Sequence, residues 1–127
     1  MTGILSFDNE LKALNLCDYR ATVISKNIAN SNTPGFKAQD IDFEAVMNQA
    51  RGHIALQGNN AQHINTSPVA STSQLYYRVP MQTKMDNNTV DDEVERKNFL
   101  ENSLRYQAGV SFVEKRASQL IKALRGE

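Results

Sequence analysis

The side chains that could carry chemistry in this sequence are few, and their spacing does not suit it. His53 and His63 stand ten positions apart in a polar stretch, without the i, i+4 spacing or cysteine partners from which zinc sites are built. They read as solvated imidazoles. Asp86-Asn87-Asn88-Thr89-Val90-Asp91 has the outline of a calcium loop, but its fifth position is Val90, its sixth is not Gly and its twelfth is Lys97. A helix cap is the expectation there. Asp40 and Asp42 could pair as general acid and base, yet alternate positions ahead of a helix suit a cap and a solvated charge better. Cys17 has no basic cluster beside it and falls on an apolar face, so it reads as a small core residue rather than a reactive thiolate. Gly-rich phosphate loops, nucleophile elbows and HExxH are all missing. The reading is therefore non-enzymatic: catalytic, cofactor-binding and metal-binding residues are not expected.

Fourteen Lys and Arg balance fourteen Asp and Glu over 127 residues, which leaves no net field to hold nucleic acid or an anionic surface. The expected partners are proteins, with neither nucleic acid nor a small-molecule substrate. The single cysteine excludes a disulfide within the chain. Met-Thr-Gly-Ile-Leu-Ser-Phe-Asp lacks a basic region before Lys12 and a sustained apolar run, so a cleaved secretory signal peptide is not expected. A chain of this kind working outside the cytoplasm needs a dedicated export machine.

The elements that would position these residues are mostly helical. Ile4, Phe7, Leu11, Leu14, Cys17, Ala21, Ile24 and Ile28 recur in steps of three and four, with one extra three-residue step at Cys17. Asn30-Ser31-Asn32-Thr33-Pro34-Gly35 stops this helix, and Thr33-Pro34-Gly35-Phe36 suits a type II turn with Gly supplying positive φ. Phe43, Val46, Met47 and Ala50 make a short apolar face, with Asp42 as N-cap and Gly52 as terminator. Residues 52–74 show no period and read as loop, while Leu75–Val79 has strand composition with no partner evident except a nearby segment or another subunit. Thr89 is expected to open a second long helix with Asp91, Asp92 and Glu93 in its first turn, and Lys122, Arg125 and Gly126 complement its end. Phe99, Ser103, Tyr106, Val110, Val113, Ala117, Leu120 and Leu124 run through it as an unbroken heptad seam. The two helices would reach roughly 40 and 50 Å, far more than a small globule uses.

The expected fold is all-α: two long terminal helices forming a coiled coil, with a short helix and a flexible polar loop between them. Residues 1–51 and 86–127 would form one discontinuous domain, and 52–85 a flexible loop with a short strand at 75–79. Leu11, Leu14 and Ile24 would meet Tyr106, Val110, Val113, Leu120 and Leu124 along the seam. Leu100, Leu104 and Ile121, beside it, would be left for neighbouring subunits. Asn27, Asn30 and Asn32 lie close enough together that some of their amides are expected to bond a neighbouring chain and fix register.

Asn27-Ile28-Ala29-Asn30-Ser31-Asn32-Thr33-Pro34-Gly35-Phe36-Lys37 closely resembles the N-terminal signature of the bacterial flagellar rod and hook protein family. Tyr77-Arg78-Val79-Pro80, Asp86-Asn87-Asn88-Thr89-Val90-Asp91 and Asn102-Ser103-Leu104-Arg105-Tyr106-Gln107 resemble a proximal-rod member of that family. Phe36 stands where the family usually has Tyr, and Asn87 where it usually has Gly; Asn tolerates a left-handed conformation. The resemblance implies an axial subunit of the basal body, at the membrane-proximal end of the periplasmic rod, transmitting torque and helping to form the export channel. It implies export by the flagellar type III apparatus, and as partners other copies of the chain, other rod proteins, the rod-to-membrane-ring adaptor and the export gate. Asn27, Ile28, Asn30, Asn32, Thr33, Pro34, Gly35 and Phe36 would be the assembly signature. The rivals are another proximal-rod subunit, a coiled-coil adaptor or export chaperone, and, weakest, an enzyme.

Overall fold

The computed structural model describes the backbone of residues 2–52 and 75–126, and the side chains of 7–49 and 75–126. Five elements follow in chain order: α1 (Thr2–Ala29), β1 (Gln39–Ile41), α2 (Phe43–Gly52), β2 (Leu75–Tyr77) and α3 (Asp92–Arg125). α1 and α3 pack antiparallel, with Asn27 facing Glu95, Cys17 facing Asn102, Leu14 facing Gly109, and Glu10 3.7 Å from Arg116. The chain is thus predominantly helical, and its terminal helices pack on each other, as the periodicities predict.

Local signals explain where the helices stop. After Ala29 the backbone N–H groups of Asn30 and Ser31 reach back to Asn27 and Ile28, and Pro34 then offers no donor. The Phe36 N–H closes the turn on the Thr33 carbonyl at 3.3 Å, with Gly35 at φ 72°. α2 is capped by Asp42, whose carboxylate accepts from the Ala45 N–H at 3.0 Å. α3 ends as expected, with Gly126 as C-cap at φ 75°, but starts later: its N-cap is Asp91, which accepts from the Glu93 and Val94 amides. Thr89 does not open the helix because it is occupied elsewhere. Its hydroxyl accepts the Ala38 N–H at 2.7 Å, and its own N–H donates to the Phe36 carbonyl at 3.0 Å.

The strand at Leu75 finds its partner within the chain. β2 pairs antiparallel with β1 in the register Gln39 with Tyr77, Asp40 with Tyr76 and Ile41 with Leu75. The Arg78 N–H extends the ladder to the Ala38 carbonyl at 3.0 Å. The expectation of a flexible loop over 52–85 falls for residues 53–74 outside the described residues; residues 75–85 contain β2 and the well-anchored Arg78.

Burial concentrates at the turn-proximal end of the hairpin. Leu16, Val23 and Ile41 form the core cluster, with Phe43, Val46 and Met47 packed against it, and Cys17, Ile24, Ala38 and Val90 are buried nearby. Of the expected first-helix seam, Ile24 is buried and Leu14 half-buried, but Leu11 and Ile28 lie at the surface. α1 has two neighbours, α3 on one side and β1 with α2 on the other, so Leu16 and Val23 turn inward beside the drawn stripe. The α3 seam needs a similar correction. Val110, Val113 and Ala117 are half-buried, whereas Phe99, Tyr106, Leu120 and Leu124 are exposed. What faces α1 instead is Glu95, Asn102, Gly109 and Arg116, a seven-residue repeat of an acid, an amide, a glycine and a base. At Gly109 a Cβ would fall 2.7 Å from Leu14 Cδ2, so the absence of a side chain lets the helices approach closely.

Candidate assembly surfaces

Two polar clusters inside the fold and one apolar face outside it are the features with functional content. The first cluster joins α1, β1, the residue after β2, and α3. Arg20 grips Asp40 with two bonds, Nε to Oδ1 at 3.0 Å and Nη2 to Oδ2 at 3.1 Å. Arg78 donates Nη2 to the same Asp40 Oδ2 at 2.6 Å and Nη1 to Glu95 Oε1. Asn27 completes the set: its Nδ2 donates to Glu95 Oε2 at 3.2 Å and to the Gln39 carbonyl at 2.7 Å, while its Oδ1 accepts the Gln39 N–H. Two guanidiniums thus balance two carboxylates in a dry setting.

The carboxylates titrate oppositely. Burial pushes Asp40 up, but the bonds from Arg20 and Arg78 and from the Ile41 N–H outweigh it and hold Asp40 below the ordinary aspartate range. Burial also pushes Glu95 up, and there the Arg78 charge and the Asn27 bond recover only part of the penalty. Burial likewise raises the Cys17 thiol, against the nearby charges of Arg105 and Arg20, so Cys17 is a packed side chain and not a thiolate.

The second cluster is Asn88, buried at the foot of α3. Its Nδ2 faces three carbonyls at the end of α1, those of Asn30, Ser31 and Thr33, at 3.0, 2.8 and 2.9 Å. Its Oδ1 accepts the Val90 N–H at 2.8 Å. The side chain therefore clamps the N-terminal turn to the start of the last helix, adding to the Thr33 and Phe36 N–H groups that already bond the Asn30 and Thr33 carbonyls. Asn87, at φ 59°, sets the preceding bend.

Several assignments from sequence change here. The Asn27 amide is consumed inside the chain and is not free to bond a neighbour. The Asn30 side chain donates to the Lys26 carbonyl and accepts from the Thr33 hydroxyl, again locally. Ile28, Asn32, Thr33, Pro34 and Gly35 lie exposed around the turn, and Phe36 is half-buried. Asp40 is not a solvated charge but the centre of the first cluster. His53 and His63 lie outside the described residues. Sequence reasoning missed Arg20 and Glu95, and gave no role to Arg78, Asn88 and Asn102 although they carry the family resemblance; the seven-residue spacing of Glu95, Asn102 and Gly109 was the available signal. Asn102 donates to the Cys17 carbonyl at 2.8 Å, and its Oδ1 finds no donor among the described residues.

The outer face is formed by apolar side chains of α3 that the hairpin leaves uncovered: Leu100 (63% exposed), Leu104 (59%) and Ile121 (50%) lie within about 100° of one another around the helix, with Phe112 (64%) and Leu124 (88%) on the two flanks. Among the described residues no helix is long and apolar enough to cross a membrane, and no group of three or more His, Cys, Asp or Glu is placed to hold a metal ion.

Residues 7–37 match the model of a family described as flagella basal body rod protein. Over most of its length the chain is similar to proteins called flagellar basal body rod protein FlgB. That of Proteus mirabilis is 38% identical over 127 residues, covering 94% of this chain and 93% of the relative. That of Salmonella typhimurium is 40% identical, covering 99% and 96%, and that of Yersinia enterocolitica is 44% identical, covering 87% and 85%.

Proposed function

The chain belongs to the FlgB family of flagellar basal body rod proteins, structural subunits of the flagellum, and from that premise we propose how it assembles. It polymerises through its terminal helices, with the uncovered α3 face seated on neighbouring subunits. The observation that carries this is the exposed face of Leu100, Leu104 and Ile121, flanked by Phe112 and Leu124, which no described element covers and which water disfavours by about 25 cal/mol per Å² of apolar area. The helix seam within the chain and this outer face are distinct surfaces on one helix, so internal closure leaves the outer one available.

The neighbours in this reading are other copies, other rod proteins, the rod-to-ring adaptor and the export gate, at the membrane-proximal end of the periplasmic rod. There the subunit helps transmit torque and line the export channel, having been exported without cleavage of a signal peptide. Asn32, exposed on the turn, is the signature amide left to reach a neighbour. An adaptor or export chaperone gains no support from the three relatives named above, each of which carries the rod-protein description. The test is recovery of the chain in isolated basal bodies. Leu104→Asp and Leu124→Asp should be produced and exported as wild type but lost from the rod, and normal incorporation of both would overturn assembly through this face.

A further inference from the structure

The segment that returns from the middle of the chain meets the hairpin first through the short β2 ladder and Arg78, ahead of the Asn88 clamp at the start of α3. β2 has only three residues, Leu75, Tyr76 and Tyr77, exposed by 42%, 46% and 67%, so its ladder to β1 is short and leaves much of their surface open. Directly after it comes Arg78, whose side chain is only 14% exposed and spans two carboxylates carried by β1 and α3. Asp40 keeps Arg20 as a second partner. Glu95, fully buried, has Arg78 as its only cationic partner in the cluster, with Asn27 as a neutral donor.

We infer that Arg78 is a detachable latch: Asp40, Glu95 and Asn27 form a guanidinium receptor on the hairpin, the returning segment docks by filling it, and vacating it strands Glu95 so that hairpin and segment open together. The receptor with Arg20 and Arg78 is neutral, two positive against two negative. Without Arg78 it carries a net negative charge on two carboxylates that are almost wholly buried, and leaving one ion of a buried pair uncompensated is more damaging than deleting both. The neutral Asn27 amide orients Glu95 but cannot balance its charge. The docking of residues 75–78 therefore bears on the stability of the interface between α1 and α3. The coupling is reciprocal: separating α1 from α3 removes Asn27 from Glu95 and loosens the hold on Arg78. A guanidinium suits this role because its planar fork addresses two carboxylates at once, which an ammonium does less well.

The test is hydrogen exchange on the full-length protein, read on peptides covering 75–80 and 92–105. Arg78→Met should speed exchange in both peptides at least tenfold, although 92–105 contains no substitution. Adding Glu95→Gln to Arg78→Met should restore most of the protection of 92–105 and leave 75–80 unprotected. Glu95→Gln alone should leave 92–105 within threefold of wild type, because it removes the buried charge and keeps the fold's shape. This single variant decides the matter even where Arg78→Met fails to fold. Deprotection of 92–105 by Glu95→Gln of tenfold or more over wild type would show an ordinary ion pair and overturn the latch. So would an Arg78→Met protein in which only 75–80 exchanges faster, or a double variant no better protected than Arg78→Met.

Discussion

Replacing Asn88 by Ala should cost the hairpin about 3–5 kcal/mol, and the figure follows from the bonds the side chain makes. Two amide hydrogens serve the carbonyls of Asn30, Ser31 and Thr33, so they count as two bonds at about 1 kcal/mol net each. The Val90 N–H, buried beneath Asn88, then loses its acceptor, and an orphaned buried donor adds about 1–3 kcal/mol. For a chain of this size about 4 °C is lost per kcal/mol, so the melting midpoint should fall by roughly 12–20 °C. Far-UV circular dichroism on heating measures this, with Asn88→Asp as comparator. Asp keeps an acceptor for Val90 but sets a carboxylate against three carbonyl oxygens, so it should be at least as damaging as Ala. An Asn88→Ala midpoint within about 3 °C of wild type would show that the clamp carries no stability. A wild-type midpoint for Asn88→Asp would show that the amide does not face those carbonyls.

Gly35→Val should cost about 1–2 kcal/mol and impair incorporation, since Gly35 sits at φ 72°; nothing lies within 4 Å of an added Cβ, so the loss measured by thermal melting reports backbone strain alone. Val113→Asp should block recovery with basal bodies, because half-buried Val113 would become a desolvated carboxylate, whereas exposed Lys115→Asp should stay within about 0.5 kcal/mol of wild type; equal defects would place position 115 at a contact between subunits. In a verified monomer, amides of 16–28 and 92–102 should exchange slowly and those of 110–125 quickly, gaining protection only on assembly, and uniform slow exchange along α3 would sink this view. The folded state holds Asp40 below its unfolded value, so the stability it supplies is present above the ordinary aspartate range and is lost as pH falls through the folded value. Glu95 has the reverse sign: its folded value is raised, so its contribution is fullest below the ordinary glutamate range and declines as pH rises through the raised value. Urea midpoints from about pH 3 to 6 should therefore lose their acid-side slope in Asp40→Asn, and an unchanged slope would remove Asp40 as its source.

The helices were legible because Ile4 to Ile28 and Phe99 to Leu124 repeat at helical spacing, and the turn because only Gly35 suits its third position. The face α3 presents to α1 was not, since Glu95, Asn102 and Gly109 carry the contact, and a search for apolar periodicity passes over an acid, an amide and a glycine. It settled instead on a stripe displaced toward the outer surface, sharing Val110, Val113 and Ala117 with the true interface. The cap moved from Thr89 to Asp91 because a distant amide, that of Ala38, claims the Thr89 hydroxyl. Arg20, Asp40, Arg78 and Glu95 come from four separate stretches, and one sequence offers many equally good pairings of four such charges. The family signature was visible, but the work of its amides was not: Asn27 turns inward, and the clamp on the signature's carbonyls comes from Asn88, 55 to 58 positions away.

That the first and last helices are each other's partners also has a consequence in time. Asn27 meets Glu95 across 68 positions and Cys17 meets Asn102 across 85, so few of the contacts that hold the hairpin are available to a partial chain. At a synthesis rate of about 5–20 residues per second, α1 waits roughly 5–20 s for the last helix to emerge. Through that interval Asn27 and Cys17 wait for their partners on α3, and only the local cluster of Leu16 and Val23 with Ile41, Phe43, Val46 and Met47 is within reach. Closure of the ring between distant ends then sets the rate, making this a slow folder for a helical protein. The nascent subunit is therefore an open chain for seconds, and anything that engages it in that form competes with folding on even terms.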